Sequence, residues 1–474
     1  MQVMIPTKKI GTSGSPWRSA LRQRMAPVVL AAHVAACVAA VSAGCRSRPE
    51  APAFEIEPYL LVWAGDADRQ HDDFLAVIDA DPMSETYGAV LRTVPVGTRA
   101  NEPHAMETRQ APDGLLLAGG LLSGRTFVFD VRDPRTARLV YVDTPREERR
   151  YATPRAYVRL ENGHRLATFG DRKGYRGGVV EVLHSSGGLV EFGSTGRFMR
   201  EIDAGDTSAA GMVVSPHALA VSQRADRVVT TDAGHGYTAT AVEWTSGVSV
   251  QVRRISTGEL IHTIPLGVGN RGDENLEPQT VHLLRGGTSA VVSTGDGGAL
   301  YASWTVATAT PAFALAYDFG AGSHAGQAAI TPNEAFYFQT LSGANRLDVL
   351  DIRDPRAPRP VGKLRFDRDP QGGGAREGGP HGIAMGADGH RLAVSNYTVD
   401  TPARHRDGDR RVYIVDVDPE SGGVAFDLRF RDELLHDVGI DFNRVRWPHG
   451  ATGPARPAAV LFAEQLPPPE EEDD

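Results

Sequence analysis

Four histidines in this chain directly follow a proline: His104, His217, His381 and His449. Arg155 stands in the same relation to Pro154, and His324 opens a comparable stretch without a proline. Proline fixes φ and has no N–H to donate, which suits the first position of a strand. The side chain after it then leaves the backbone at a defined place. Several imidazoles delivered in this way from separate strands could hold a transition metal, and neutral imidazole suits copper, zinc, iron or nickel alike. They could equally be hydrogen-bonded packing residues. His381 and His449 carry the stronger signal, with Gly378-Gly379 before one and Gly450 after the other. The candidate metal ligands are therefore His104, His381 and His449, and the candidate ligand-binding residues are Arg155, His217 and His324. Eight further histidines, at 71, 164, 184, 262, 282, 390, 405 and 436, read as surface or filler.

Other chemistry is thinly represented. Both cysteines, Cys37 and Cys45, fall in the first 45 residues, so the rest of the chain offers no thiol nucleophile, disulfide or cysteine metal site. No Ser-His-Asp order, phosphate-cradling glycine loop or His-Glu-x-x-His stands in a convincing context. Arg132-Asp133-Pro134-Arg135 and Arg353-Asp354-Pro355-Arg356 are one turn written twice, with Asp capping and Pro presetting φ. The polar run from Asn270 to Asn275 reads as a solvated loop.

The elements that must position the Pro-His pairs come from a repeat. From Tyr59 onward short runs rich in Val, Leu, Ile, Thr and aromatics alternate with Gly, Asp, Asn and Pro, and no long segment keeps a 3.6-residue apolar period. Units open near Pro103, Arg155, Pro216, His324 and Pro380, and less regular ones lie at Tyr59–Val96 and Glu277–Gly320. Seven units of a little under 60 residues predict an all-β, seven-bladed β-propeller over residues 58–465. Ala458–Glu464 is a late strand with no neighbour in sequence, and Tyr59–Trp63 is its expected partner, closing the ring. A pair of β-sandwich domains would not explain sevenfold repetition. In a propeller the innermost strands line a central channel, so residues at their starts converge on one mouth.

The ends differ from the middle. Arg18, Arg22 and Arg24 precede the apolar run Ala26–Gly44, which ends in Ala43-Gly44-Cys45. This is the order of a secretory signal, here of lipoprotein type, with Cys45 as the lipidated residue; Ser42 stands where that motif usually has Leu. Residues 46–57 would be a linker. The expected location is the periplasm or cell envelope, with membrane attachment through Cys45. At the other end, residues 466–474 finish in Glu-Glu-Glu-Asp-Asp and should be a disordered, solvating tail. Net charge is -9 with no dominant basic patch, which argues against nucleic acid as partner. The expected partner is a small molecule in the channel of a monomer.

Longer stretches carry a resemblance. YLLVWAGDADRQHDDFLAVIDADP from Tyr59, NEPHAMETR from Asn101, LSGRTFVFDVRDP from Leu122, YVRLENGHRLATF from Tyr157, LDVLDIRDPRAPRPVGKL from Leu347, GGPHGIAM from Gly378 and GIDFNRVRWPHGATG from Gly439 are similar to the selenium-binding protein / methanethiol oxidase family. The resemblance implies a seven-bladed propeller and, in enzymatic members, a copper-dependent oxidation of methanethiol. It also implies a histidine set of which this chain keeps only part. Ala105 stands in place of the second residue of a His-His pair, and Thr153 and Arg155 stand where the family pattern is His-Pro-His. Two readings follow: a copper-dependent thiol oxidase using His104, His381 and His449, or a non-catalytic binding propeller that has lost the metal, with Arg155 suited to an anionic ligand.

Overall fold

A computed structural model describes residues 57–171, 186–205, 214–234, 246–401 and 404–468. The proposed signal, Cys45, most of the linker and residues 469–474 lie outside these. Among the described residues there is no α-helix, only two single-turn 3₁₀ pieces at Pro134–Thr136 and Arg285–Gly287.

Seven antiparallel sheets follow one another. Blade one contains Tyr59–Asp66, Phe74–Asp79 and Val90–Pro95, and takes its innermost strand, Ala455–Ala463, from the far end of the sequence. Blades two to six run in sequence order from inner to outer strand, and their inner strands are Pro103–Met106, Tyr151–Arg159, Pro216–Ser222, Pro278–Leu284 and Ala325–Ile330. Blade seven starts with Gly382–Met385 and carries an extra two-stranded hairpin, Val399–Thr401 with Arg404–Arg406. The inner strands pack neighbour to neighbour around a complete circuit, from blade one through blade seven and back.

The expected closure is present. Ala455–Ala463 pairs antiparallel with Tyr59–Asp66, with Leu60 opposite Phe462 and Val62 opposite Val460, and all nine of its residues are buried. Closure removes the sheet edges that an open array would expose.

Strand periodicity explains the stacking. Successive side chains point to opposite faces of a blade, and both faces are covered, so strands read as continuous apolar runs. Leu60, Val62 and Ala64 face blade seven, where they meet Val412, Ile414 and Phe442. Leu61 and Trp63, one residue out of phase, face Leu116, Phe127 and Phe129 of blade two. Seven such clusters fill the seven blade interfaces. The one between blades three and four is the smallest, built on Leu160, Leu166, Leu189, Leu219 and Val228.

Candidate functional site at the channel mouth

The pairing register slips at the start of the inner strands. In blades two to six it shifts between Pro103 and Met106, Pro154 and Ala156, Pro216 and Leu219, Pro278 and Thr280, and Ala325 and Ala328. In the closing strand Ala458 is skipped, between Pro457 opposite Ala64 and Ala459 opposite Trp63. A bulge leaves one residue out of the ladder and re-aims its side chain. The residues so placed include His104, Arg155, His217, Gln279 and Ala458, and His381 stands in the equivalent place before Gly382.

Three of the imidazoles meet. The ring of His104 lies 5.8 Å from that of His217, at 76°, and 6.3 Å from that of His381, at 35°. Arg155, 6% exposed, donates from Nη1 to the carbonyls of Ser215 at 3.1 Å and Pro216 at 3.3 Å. His217 Nδ1 is 3.0 Å from the Gln279 carbonyl. A carbonyl only accepts, so Nδ1 carries the proton and Nε2 is left as the acceptor. Its own carbonyl accepts from the Thr168 hydroxyl. The His381 carbonyl accepts from Thr340 Oγ1 at 2.8 Å and from the Gln327 amide at 3.0 Å. Gly326 makes room beside it, because a Cβ there would stand 2.7 Å from His381 Cδ2. His104 is 9% exposed, and its Nδ1 has no hydrogen-bond partner among the described residues.

The electrostatics favour neutral rings. Burial first, then the Arg155 charge, pushes the His104 pKa down to about 4. Burial also holds His217 well below the usual histidine value, helped by His104, Arg155 and His381. At neutral pH His104 and His217 are therefore uncharged beside the Arg155 guanidinium.

Not every expected residue joins this group. His449 does not reach it. Its Nδ1 sits 2.7 Å from Thr93 Oγ1, in the outermost strand of blade one, and its ring packs 5.0 Å from Phe74. The turn of Pro448–Gly453 precedes the closing strand instead of opening it, so the blade-one counterpart of the Pro-His pairs is Pro457-Ala458. His324 stands at the start of blade six with φ of 47° and pairs through Nδ1 with Asp296 Oδ1 at 3.2 Å, a third exposed. Ala105 lies in the cluster between blades two and three with Leu117, Tyr151 and Phe169. A histidine there would enter apolar packing.

One residue read as filler belongs to the channel strands. His282 is in the inner strand of blade five, its ring 6.1 Å from that of Tyr337, and burial pushes its pKa down to about 4. Mid-strand position hid it in the sequence. The two Arg-Asp-Pro-Arg turns are structural, as read: Asp133 accepts from Arg135 N at 3.0 Å and Asp354 from Arg356 N at 3.1 Å. In the 270–275 loop Glu274 is buried and ties down the amides of Gly269, Arg271 and Gly272.

The donor set does not fit copper. Among the described residues no three His, Cys, Asp or Glu are grouped closely enough to hold a metal ion. The group that does form places a buried guanidinium against the imidazoles, and a guanidinium repels a metal cation.

No protein-family model matches the chain. Methanethiol oxidase from a Hyphomicrobium species is 30% identical over 137 residues, which is 28% of this chain and 31% of that protein. The match thus spans about a third of the relative's length. Among solved structures, a hypothetical selenium-binding protein from Sulfolobus tokodaii aligns with a TM-score of 0.69 at 16% identity, covering 88% of this chain and 97% of that one. The periplasmic gluconolactonase of Pseudomonas aeruginosa aligns at 0.56 and 12% identity over 84% and 98%. At such identities the likeness is one of fold.

Proposed function

Starting from the resemblance to the selenium-binding protein / methanethiol oxidase family, which both the partial sequence match and the fold match support, we propose that this propeller has a degenerate metal site and binds a small anion at the channel mouth. The observation that carries the reading is Arg155. A guanidinium presents several N–H donors in a planar fork that suits carboxylates and oxyanions. With His104 and His217 close enough to feel its charge, it makes a pocket wall that repels Cu²⁺ and attracts a negative ligand. His104 and His381 supply further polar contacts around it. In this reading the chain is not a methanethiol oxidase, and attachment to the envelope through Cys45 would keep the binding module at the membrane.

Calorimetry tests it. Inorganic sulfate should bind the wild-type chain measurably, and Arg155→Ala should weaken that binding at least tenfold. Copper(II) should show no saturable binding that depends on His104 or His381, whereas Arg155→His should gain it. Stoichiometric copper binding by the wild type, lost in His104→Ala and His381→Ala, would overturn the proposal in favour of the oxidase.

A further inference from the structure

Blade seven meets blade one where the ring closes, and the outer rim of that seam is apolar. Of eleven large apolar side chains exposed among the described residues, five lie there: Met83, Leu428, Leu434, Leu435 and Val445. The other six are spread over blades two to six. Single exposed apolar residues are normal on a folded protein, whereas a group of them marks a contact surface. After its last strand, Val424–Phe426, blade seven sends residues 427–438 against blade one. Tyr87 Oη donates to Asp427 Oδ2 at 2.8 Å, and Glu433 Oε1 accepts from the Val90 amide at 3.4 Å and from Arg444 Nη1 at 2.7 Å. Asp432, itself 1% exposed, caps the turn by accepting from the Leu434 and Leu435 amides at 2.9 and 3.0 Å. Its other oxygen accepts from Arg444 Nη2 at 3.0 Å. The turn is thus rigid, yet it holds Leu434 61% and Leu435 55% exposed, with Val445 beside Arg444 at 85%. A contact surface fixed in advance loses less entropy on binding.

The two ends of the seam carry opposite charges. Glu85 stands two residues after Met83, in the turn between Phe74–Asp79 and Val90–Pro95 of blade one. Arg446 follows Val445 and bridges to Thr452, whose hydroxyl lies 3.3 Å from His71 Nε2. His71 belongs to the turn between Tyr59–Asp66 and Phe74–Asp79, at the other end of the same strands. A strand of six residues separates the two turns, or roughly 20 Å. Glu85 and Arg446 are both exposed, and among the described residues neither has a partner of opposite charge.

We propose that this seam binds a second copy of the chain, forming a two-fold dimer with the leucines at its centre and Glu85 of each copy against Arg446 of the other. A two-fold axis through the patch sets one end of the seam against the opposite end of its mate, so a surface with a carboxylate at one end and a guanidinium at the other is self-complementary. An apolar centre inside a charged rim is the anatomy of a protein interface. A bilayer is the poorer match, because anionic headgroups attract basic segments and here Glu85, Glu433 and Asp437 stand in the rim. Five apolar anchors and one charge pair per half make a small contact beside the roughly 800 Å² per partner of a standard interface, so the association is reversible and roughly micromolar. The contact lies on the outer strands and leaves the histidine mouth of each copy open.

Sedimentation velocity of the full chain reads the dimer. Between about 1 µM and about 100 µM the wild type should pass from a one-chain to a two-chain species. Leu434→Ser with Leu435→Ser should weaken the association at least tenfold and leave the melting temperature unchanged, since both side chains are exposed. Glu85→Arg and Arg446→Glu should each weaken it, and the two together should restore it, because every contact then again sets an Arg against a Glu. Amide exchange locates the contact: protection of residues 428–435 and 444–446 should rise with protein concentration. A one-chain species throughout, a double-serine variant that associates like the wild type, or a charge swap that fails to restore association would each overturn the dimer. So would protection that appears only on adding phosphatidylglycerol vesicles, which would assign the seam to a bilayer.

Discussion

Arg155, in the inner strand of blade three, donates to the backbone carbonyl of Pro216, the residue that sets His217 in the inner strand of blade four. One cation thus bridges two blades and fixes the backbone behind an imidazole whose titration it also depresses. In the proposed reading that cation would spoil a metal site and favour an anion.

Removing the charge should be visible at His104. In Arg155→Ala the His104 pKa should rise from about 4 while staying below the ordinary histidine value, because burial is the larger cause of its depression. Side-chain NMR titration checks this. An unchanged His104 pKa would mean that the two do not face each other.

Acid should destabilise the fold through the same residue. His104 is depressed in the folded chain, so its contribution is intact above the unfolded value of about 6.5 and is lost as pH falls toward about 4. Over that window the loss is about 3 kcal/mol, at 1.36 kcal/mol per unit. Urea melts between pH 7 and 4 should show a shallower slope in His104→Ala than in wild type. Equal slopes would contradict the buried neutral ring.

Gly326→Ala should displace His381. The added Cβ would stand 2.7 Å from the ring and 2.8 Å from Thr340 Oγ1, and overpacking of this kind costs about 1–3 kcal/mol. The expected result is a lower melting point with a shifted His381 resonance and an otherwise native spectrum. A neutral substitution would show that the mouth has slack.

Ending the chain after Gly453 should abolish the closed ring. It strips blade one of its inner strand and uncovers Leu60, Val62 and Trp63. The product should lose the cooperative melt and bind a hydrophobic dye. A truncated chain that keeps the full melting temperature would argue against closure by this strand.

The fold was largely legible because each blade repeats its strand and turn chemistry, and because both faces of every strand are buried, which writes continuous apolar runs. The Pro-His pairs at 104, 217 and 381 were legible for a related reason: Pro103 and Pro216 open inner strands, and Pro380-His381 directly precedes one. His449 carried the same dipeptide, but Gly450 and Gly453 follow it, and the strand begins only at Ala455. What sequence could not convey was the bulge that skips Ala458, since register is decided by pairing across nearly the whole chain. His282 was missed because nothing local marks a mid-strand residue as lying on an innermost strand.

The most direct measurement places the ligand itself. Crystals soaked in parallel with selenate, an oxyanion whose selenium scatters anomalously, and with copper(II) would be compared by anomalous difference maps. An oxyanion peak within hydrogen-bonding reach of Arg155 and the His104 and His217 rings, with no copper peak at the mouth, is the expected result. A copper peak ligated by His104 and His381 at roughly 2 Å, with no selenate beside Arg155, would contradict it.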